Sequence, residues 1–156
     1  MRQLIINLVL GAALAMAWPI QAAEPETVTL LYVSNLPDID AKPGLAEVAG
    51  LLSSLRREGR QVLLLHGGDS LAPSTLSAFD RGAHMIALLN DFDLVAMAAA
   101  KREFAFGEDE LTLRSHEAGF PLLSNNVHDP ISGAGLEGLT DRAEVLVGDR
   151  LLCVTA

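Results

Sequence analysis

This chain has few aromatic residues, a shortage of basic side chains and a single cysteine. Aromatic residues make up 4% of its 156 residues, and 11 Lys and Arg stand against 20 Asp and Glu. The formal net charge is therefore −9 at pH 7. Such a balance lacks the basic footprint that binding to nucleic acid requires, and it disfavours anionic lipid surfaces. We expect neither as a partner.

Long apolar runs are also missing, apart from a short one at the start of the chain. Arg2 precedes the run LIINLVLGAALAMAW, Pro19 ends it, and the small residues Ala22 and Ala23 follow. This pattern is typical of a secretory signal peptide, here with cleavage after Ala22. The alternatives are a membrane anchor or a core helix, but the run is short for a membrane span.

The signal peptide predicts two segments: residues 1–22, which are removed, and residues 23–156, which form one domain. Because Arg2 is the only charged residue in the first segment, its loss takes the net charge from −9 to −10. The composition looks bacterial, so we expect the mature protein in the periplasm or secreted, with no membrane attachment after the signal is removed.

Cys153 cannot form an internal disulfide because it is the only cysteine. In an exported protein an unpaired cysteine indicates either burial or pairing between molecules. It lies in the apolar stretch RLLCVTA, so we predict a buried strand residue rather than a reactive thiol.

Strand-like and helix-like segments alternate along the mature chain. Four apolar runs have the character of strands, and each is followed by a polar cluster: SNLPDID after the first, HGGDS after the second, AKREFAFG after the third and SNNVHD after the fourth. Segments with helical spacing separate them, and RAEVLVG with RLLCVTA predicts a hairpin around Gly148 and Asp149. This order predicts an α/β fold with parallel strand pairs.

The polar clusters are the candidate functional site, because chemistry in such sheets gathers at the carboxyl ends of strands. The candidate ligand-binding residues are Asn35, His66, Asp69, Lys101, Arg102 and Asn125. For His66 the competing interpretation is a hydrogen-bonded histidine at a strand end. Ser70 lacks an evident base partner, so we do not expect a nucleophilic serine.

The same stretches carry a resemblance to a known family. VTLLYVSNLPD, QVLLLHGGDS, LVAMAAAKREFAFG and FPLLSNNV are similar, in order and spacing, to the opening motifs of the secreted 5′-nucleotidase group of the calcineurin-like metallophosphoesterases. In that family the strands end in Asn-Asp-Leu-His-Gly, Gly-Asp, Gly-Asn-His-Glu-Phe-Asp-Phe-Gly and Leu-Ser-Ala-Asn. The resemblance implies the first half of an α/β/β/α sandwich with a mixed sheet and helices. It also implies hydrolysis of phosphoesters, nucleotides in particular, by two divalent metals.

The departures from the family pattern fall on the metal-binding positions. The resemblance places metal ligands at Asn35, Pro37, Asp69 and Lys101, and of these only Asp69 keeps a metal-binding side chain. The family's acid dyad corresponds to Arg102 and Ala105, and its remaining histidine ligands come from a later half, beyond residue 156. A single carboxylate cannot hold two hard divalent ions. We therefore expect no bound metal and impaired catalysis.

Lys101 and Arg102 are interpreted as organic cations that stand where the metal-site residues stood, with a guanidinium paired to Asp69 or Glu103. Three alternatives stay open. The cations form an internal ion-pair cluster or are simply solvated charge, or they hold a phosphate or nucleotide beside the glycine-rich HGGDS loop, or a rebuilt metal site retains some hydrolysis.

The chain stops near the midpoint of the related catalytic domain, which is roughly twice this length by the resemblance. Half a sandwich exposes one apolar sheet face and a strand edge. A truncated product, a compact half-domain, and a unit covered by a homodimer or a partner chain are the alternatives.

Overall fold

The computed structural model describes residues 27–40 and 42–156. The predicted signal peptide lies outside these residues, so cleavage after Ala22 stays a prediction. Within them, no helix is both long enough and apolar enough to cross a lipid bilayer.

The main sheet has five parallel strands that pair in chain order. They are β1 (Val28–Val33), β2 (Gln61–His66), β3 (Leu94–Ala98), β4 (Leu122–Leu123) and β5 (Leu139–Thr140). The predicted α/β fold with parallel pairs is confirmed. The short strand β5 had no counterpart in the sequence prediction, since two residues give no periodicity.

Helices connect these strands and lie where helical spacing predicted them. They are α1 (Leu45–Arg57), α2 (Ser77–Asp80), α3 (Ala83–Asn90) and α4 (Glu108–Glu117), with a 3₁₀ helix at Lys101–Phe104. At the start of α1 the Glu47 carboxylate accepts the Gly44 N–H at 2.9 Å, which satisfies a backbone donor that the helix leaves open. Arg56 and Arg57 occupy its last turn, where cations interact favourably with the helix dipole.

The core lies between the helices and one face of the main sheet. Its most buried members come from the three inner strands, β2, β3 and β4, and from α3, namely Leu64, Met85, Ile86, Leu89, Met97 and Leu122. β2 and β3 are continuous apolar runs because they are buried on both faces, as expected for central parallel strands. This packing fixes the strand ends, on which the site depends.

The predicted hairpin is confirmed as β6 (Arg142–Val147) and β7 (Arg150–Thr155), joined through Gly148. It forms a two-stranded sheet of its own, so the main sheet is parallel rather than mixed. The hairpin packs on the second face of the main sheet, where Ala143 meets Ala96 and Leu123 in a small second core.

The prediction of a buried Cys153 is wrong. Cys153 does lie on a strand, but its side chain is exposed. Directly opposed residues of an antiparallel pair share a face, and Cys153 pairs with Glu144 while Leu151 pairs with Leu146. This face points away from the main sheet. The apolar run RLLCVTA predicted a buried strand, but only one face of the hairpin packs against the main sheet.

Candidate functional site

Three neighbouring strand ends bring together Asn35, Asp69 and Arg102, here called the strand-end cluster. Asn35 follows β1, Asp69 follows β2 and Arg102 follows β3. These strands are parallel neighbours, so their carboxyl ends lie at one edge of the sheet. The Asn35 N–H donates to the Gly68 carbonyl at 2.9 Å, which joins the first two loops directly. The predicted convergence of polar clusters is therefore present for three of the strands.

Glu103 holds the second and third loops together. Its carboxylate is buried, with 2% of the residue exposed, and it accepts four backbone N–H groups. They belong to Asp69 and Ser70 at 2.8 Å, Ala100 at 3.0 Å and Leu71 at 3.3 Å. Burial raises the pKa of Glu103, and the four donors counteract that rise. Glu103 is therefore an anchor of the backbone and not a group open to a ligand.

Asn35 and Asp69 both adopt left-handed backbone conformations, with φ of 58° and 60°. Asn and Asp tolerate this region better than other non-glycine residues. The Asp69 Oδ1 accepts the backbone N–H of Arg102 at 3.0 Å. One oxygen of the carboxylate that the resemblance aligns with a metal ligand is thus already engaged by the protein.

The expected ion pair between Arg102 and Asp69 or Glu103 is not formed. The Arg102 guanidinium instead donates from Nη1 to the Asn35 Oδ1 at 2.6 Å. The 3₁₀ helix starts after Ala99 and Ala100, and its backbone places the Arg102 N–H against Asp69 and the Glu103 carboxylate against the loop. Among the described residues, neither Lys101 nor Arg102 has a carboxylate within ion-pair distance.

His66 is buried at the end of β2 with both ring nitrogens engaged. Nδ1 accepts the Gly68 N–H at 3.0 Å, so the ring proton lies on Nε2, which contacts the Ser70 Oγ at 3.1 Å. Burial lowers the pKa of His66 to about 4. The neutral imidazole therefore stabilises the loop through Gly68 and Ser70. The Ser70 Oγ also accepts the Leu36 N–H at 2.9 Å, which connects this loop to the loop after β1.

The glycine-rich loop offers no free amide to an anion. The Gly67 N–H donates to the Val33 carbonyl at 2.7 Å, and the Gly68 N–H donates to His66. The next three amides donate to Glu103. A phosphate-binding loop needs backbone N–H groups that point at the ligand. An anion held beside this loop would therefore have to be bound by the cations Lys101 and Arg102 and not by the amides of the loop.

The remaining sequence candidates lie at the same edge without joining the cluster. Lys101 is exposed at the start of the 3₁₀ helix, and Ala105 is exposed at its end. Asn125 follows β4 and is exposed, and its backbone N–H donates to the Ala156 carbonyl at 2.8 Å. No hydrogen bond of the described residues connects Asn125 with Asn35, Asp69 or Arg102.

The side chains at this edge do not fit a pair of divalent metals. Asp69 and Asn35 each give an oxygen to Arg102, Pro37 has no side-chain donor, and Lys101 is a cation. Across residues 27–40 and 42–156, no three His, Cys, Asp or Glu side chains are grouped so that they could hold a metal ion. Hard divalent ions need several oxygen or imidazole ligands.

Solved structures with a similar fold show which protein class shares this arrangement. The NAD nucleotidase of Haemophilus influenzae matches with a TM-score of 0.69, 17% identity and 82% of this chain covered. A 5′-nucleotidase precursor of Thermus thermophilus matches with a TM-score of 0.67, 21% identity and the same coverage. The chain has the fold of the N-terminal part of the metallophosphoesterases. The resemblance drawn from the motifs is therefore confirmed for the fold.

This metallophosphoesterase-type fold is shared more widely, but only over part of each relative. The sulfate thiohydrolase SoxB of Thermus thermophilus matches over 70% of this chain with a TM-score of 0.61 and 24% identity. The chain spans 28% of the two nucleotidases and 20% of SoxB. No protein-family model and no curated protein sequence matches the chain.

Glu103 is the site residue whose role the sequence did not reveal. The sequence predicted it only as a partner for a guanidinium, whereas its carboxylate accepts hydrogen bonds from four backbone amides. The sequence feature that could have indicated burial of Glu103 is the apolar stretch Phe104, Ala105 and Phe106 that follows it. A buried acid needs hydrogen-bond donors, and the loops supply them.

Proposed function

We propose that this protein is exported and binds a phosphate-bearing small molecule, such as a nucleotide, without hydrolysing it. The observation that carries the proposal is the Arg102 guanidinium, which Asn35 holds at the carboxyl edge of the sheet. By the resemblance, this edge corresponds to the metal-binding edge of the metallophosphoesterases. Arg102 places a cationic side chain there, and a cation can bind an anion.

Hydrolysis in a two-metal enzyme depends on metals that clamp the phosphate and lower the pKa of a bound water. Here one oxygen of Asp69 and the side-chain oxygen of Asn35 are engaged in contacts within the protein. The dyad positions carry Arg102 and Ala105, and neither is a general acid at neutral pH. Impaired catalysis and the lack of a metal cofactor follow from these residues as parts of the proposal.

Anion binding depends on the donors that the fold leaves available. A guanidinium has several N–H donors, and one of them holds Asn35. Lys101 is exposed next to Arg102, and neither cation has an ion-pair partner among the described residues. Arginine suits a phosphate because its planar fork matches two phosphate oxygens. We therefore assign Arg102 as the main anion-binding group, with Lys101 beside it.

The test measures binding and turnover of AMP in the purified protein with and without Mn²⁺. We expect calorimetry to show AMP binding that does not require Mn²⁺, and no release of phosphate. Replacing Arg102 with Gln should weaken AMP binding at least tenfold. Arg57→Gln is the matched control, because Arg57 is an exposed arginine in the last turn of α1.

Two outcomes would contradict the proposal. One is Mn²⁺ or Zn²⁺ bound at micromolar concentration together with AMP hydrolysis, which would establish a rebuilt catalytic metal site. The other is AMP affinity that Arg102→Gln and Arg57→Gln reduce equally, which would reflect charge alone. Export is checked separately by the mass of the mature protein, which should begin at Ala23.

A second candidate function, interaction with another protein chain, has its own supporting observation. Leu30 and Tyr32 of β1 are 61% and 63% exposed, and Leu146 and Leu151 of the hairpin are exposed as well. Apolar sheet faces of this kind mark interaction surfaces. Light scattering of the purified protein should then give a dimer, and Leu146→Glu should return it to a monomer. A monomer at every concentration would exclude self-association as that interaction.

A further inference from the structure

A cavity of about 210 Å³ opens at the carboxyl edge of the main sheet, between that sheet and the end of the hairpin. We call it the edge cavity. One wall comes from the ends of β1, β2 and β3, and the other comes from the end of β7. Its lining includes Tyr32, His66, Gly67, Ala98, Val154 and Thr155.

The edge cavity is apolar because of the residues that surround it. Ala98 contributes only a methyl group. Gly67 has no side chain, and the Tyr32 ring packs so close to it that an added Cβ would collide with Tyr32. His66 contributes a ring whose two nitrogens are already hydrogen-bonded to Gly68 and Ser70. The cavity therefore presents mostly carbon surface, with the hydroxyls of Tyr32 and Thr155 as polar side-chain groups in its lining.

The edge cavity lies close to the strand-end cluster. Gly67 lines the cavity and is two residues from Asp69, so their Cα atoms are at most about 7.6 Å apart. Tyr32 lines it as well and is three residues from Asn35. The Asn35 side chain in turn accepts from the Arg102 guanidinium, so residues next to the cavity lining hold the cation in place. An apolar space and an anion-binding cation thus share one edge of the sheet.

We propose that the edge cavity binds the apolar part of the ligand whose anionic group binds Arg102. This inference rests on the proposed function and narrows its ligand. The ligand class is an organic phosphate, or a similar small anion, that carries one aromatic ring or a short aliphatic chain. The size fits, because a dry apolar cavity of about 150 Å³ is enough to hold benzene. Burial of the apolar group favours binding in proportion to the area that leaves water.

The experiment compares inorganic phosphate, methyl phosphate and phenyl phosphate by calorimetry at constant ionic strength. We expect phenyl phosphate to bind at least about tenfold more tightly than methyl phosphate, because only its ring fills the cavity. Ala98→Leu and Thr155→Leu fill the cavity from its two walls. Each should abolish the preference for phenyl phosphate and leave the affinity for methyl phosphate within about twofold.

Ala87→Leu is the control, since Ala87 is exposed on α3 and lies outside the cavity lining. Equal affinities for methyl and phenyl phosphate in the unmodified protein would overturn the inference while leaving the proposed function intact. A preference that survives in both folded filling variants would overturn it too. If neither ester binds, the proposed function fails and the inference falls with it. If a filling variant does not fold, the relative affinity of the unmodified protein for methyl and phenyl phosphate still tests the inference.

Discussion

Acidification should destabilise this protein through His66. The imidazole is buried, its Nδ1 accepts the Gly68 N–H, and burial lowers its pKa to about 4 from an ordinary value of 6.5. A proton added at Nδ1 would face that N–H, donor against donor. The unfolded chain has no such restriction and binds the proton at the ordinary pKa, so protonation favours the unfolded state.

The magnitude follows from the two pKa values of His66. Its contribution is fully present above pH 6.5 and is lost as the pH falls from there toward 4, below which both states carry the proton. At about 1.36 kcal/mol for each pKa unit, the loss between pH 7 and pH 4 is about 3 kcal/mol. That is a large fraction of the stability of a small domain.

Urea unfolding at several pH values between 7 and 4 measures this loss. Far-UV circular dichroism is the signal of choice, because the only tryptophan, Trp18, lies in the predicted signal peptide. Carboxylates titrate in the same range, so the decisive quantity is the difference between the unmodified protein and His66→Gln. Glutamine keeps a donor for Ser70 and does not titrate.

The stability of His66→Gln should therefore depend on pH less steeply, by about 3 kcal/mol over the range. His116→Gln makes the same change at an exposed position of α4 and should follow the unmodified protein. Parallel curves for the unmodified protein and His66→Gln would refute the assignment of a buried, neutral histidine.

Three further predictions concern the loops around the strand-end cluster. Glu103→Gln should lower the free energy of unfolding by about 3 kcal/mol in denaturant titration, since an amide nitrogen would face two backbone donors; Glu108→Gln, at an exposed position, should change it little. Gly68→Ala should cost at least about 2 kcal/mol, because φ is +82° and the new Cβ would lie 2.6 Å from the Ala98 oxygen, whereas Gly135→Ala has open space. Asp69→Asn should tighten phosphate binding roughly fivefold by removing a nearby negative charge, without changing metal content in equilibrium dialysis; weaker phosphate binding would argue for a different anion position.

The contacts of Asp69 and Arg102 at this edge have a consistent physical setting. Asp69 is partly buried, and an unpartnered carboxylate in such a place is costly. Asp69 accepts a hydrogen bond from the backbone amide of Arg102 and not from its guanidinium. The guanidinium is held instead by the neutral Asn35, so most of its charge stays available at the edge of the sheet.

The alternation of apolar runs and helical spacing was sufficient to predict the fold class. Strands that are buried on both faces are continuous apolar runs in the sequence, as in QVLLLH. The hairpin could be predicted because Gly148 and Asp149 lie between two apolar runs. The motifs also indicated the metallophosphoesterase fold, because that resemblance is spread over four strand ends. Periodicity is a local property, so it could be interpreted without coordinates.

The order of elements, and the edge at which Asn35, Asp69 and Arg102 meet, could thus be predicted from the residues alone. The partners of these side chains depend on the folded arrangement. It turned Glu103 inward onto four amides, left Cys153 exposed on the outer face of the hairpin, and opened the edge cavity beside Gly67. Hydrogen-bond partners and exposure depend on the relative placement of segments far apart in the chain, and no local pattern encodes that placement.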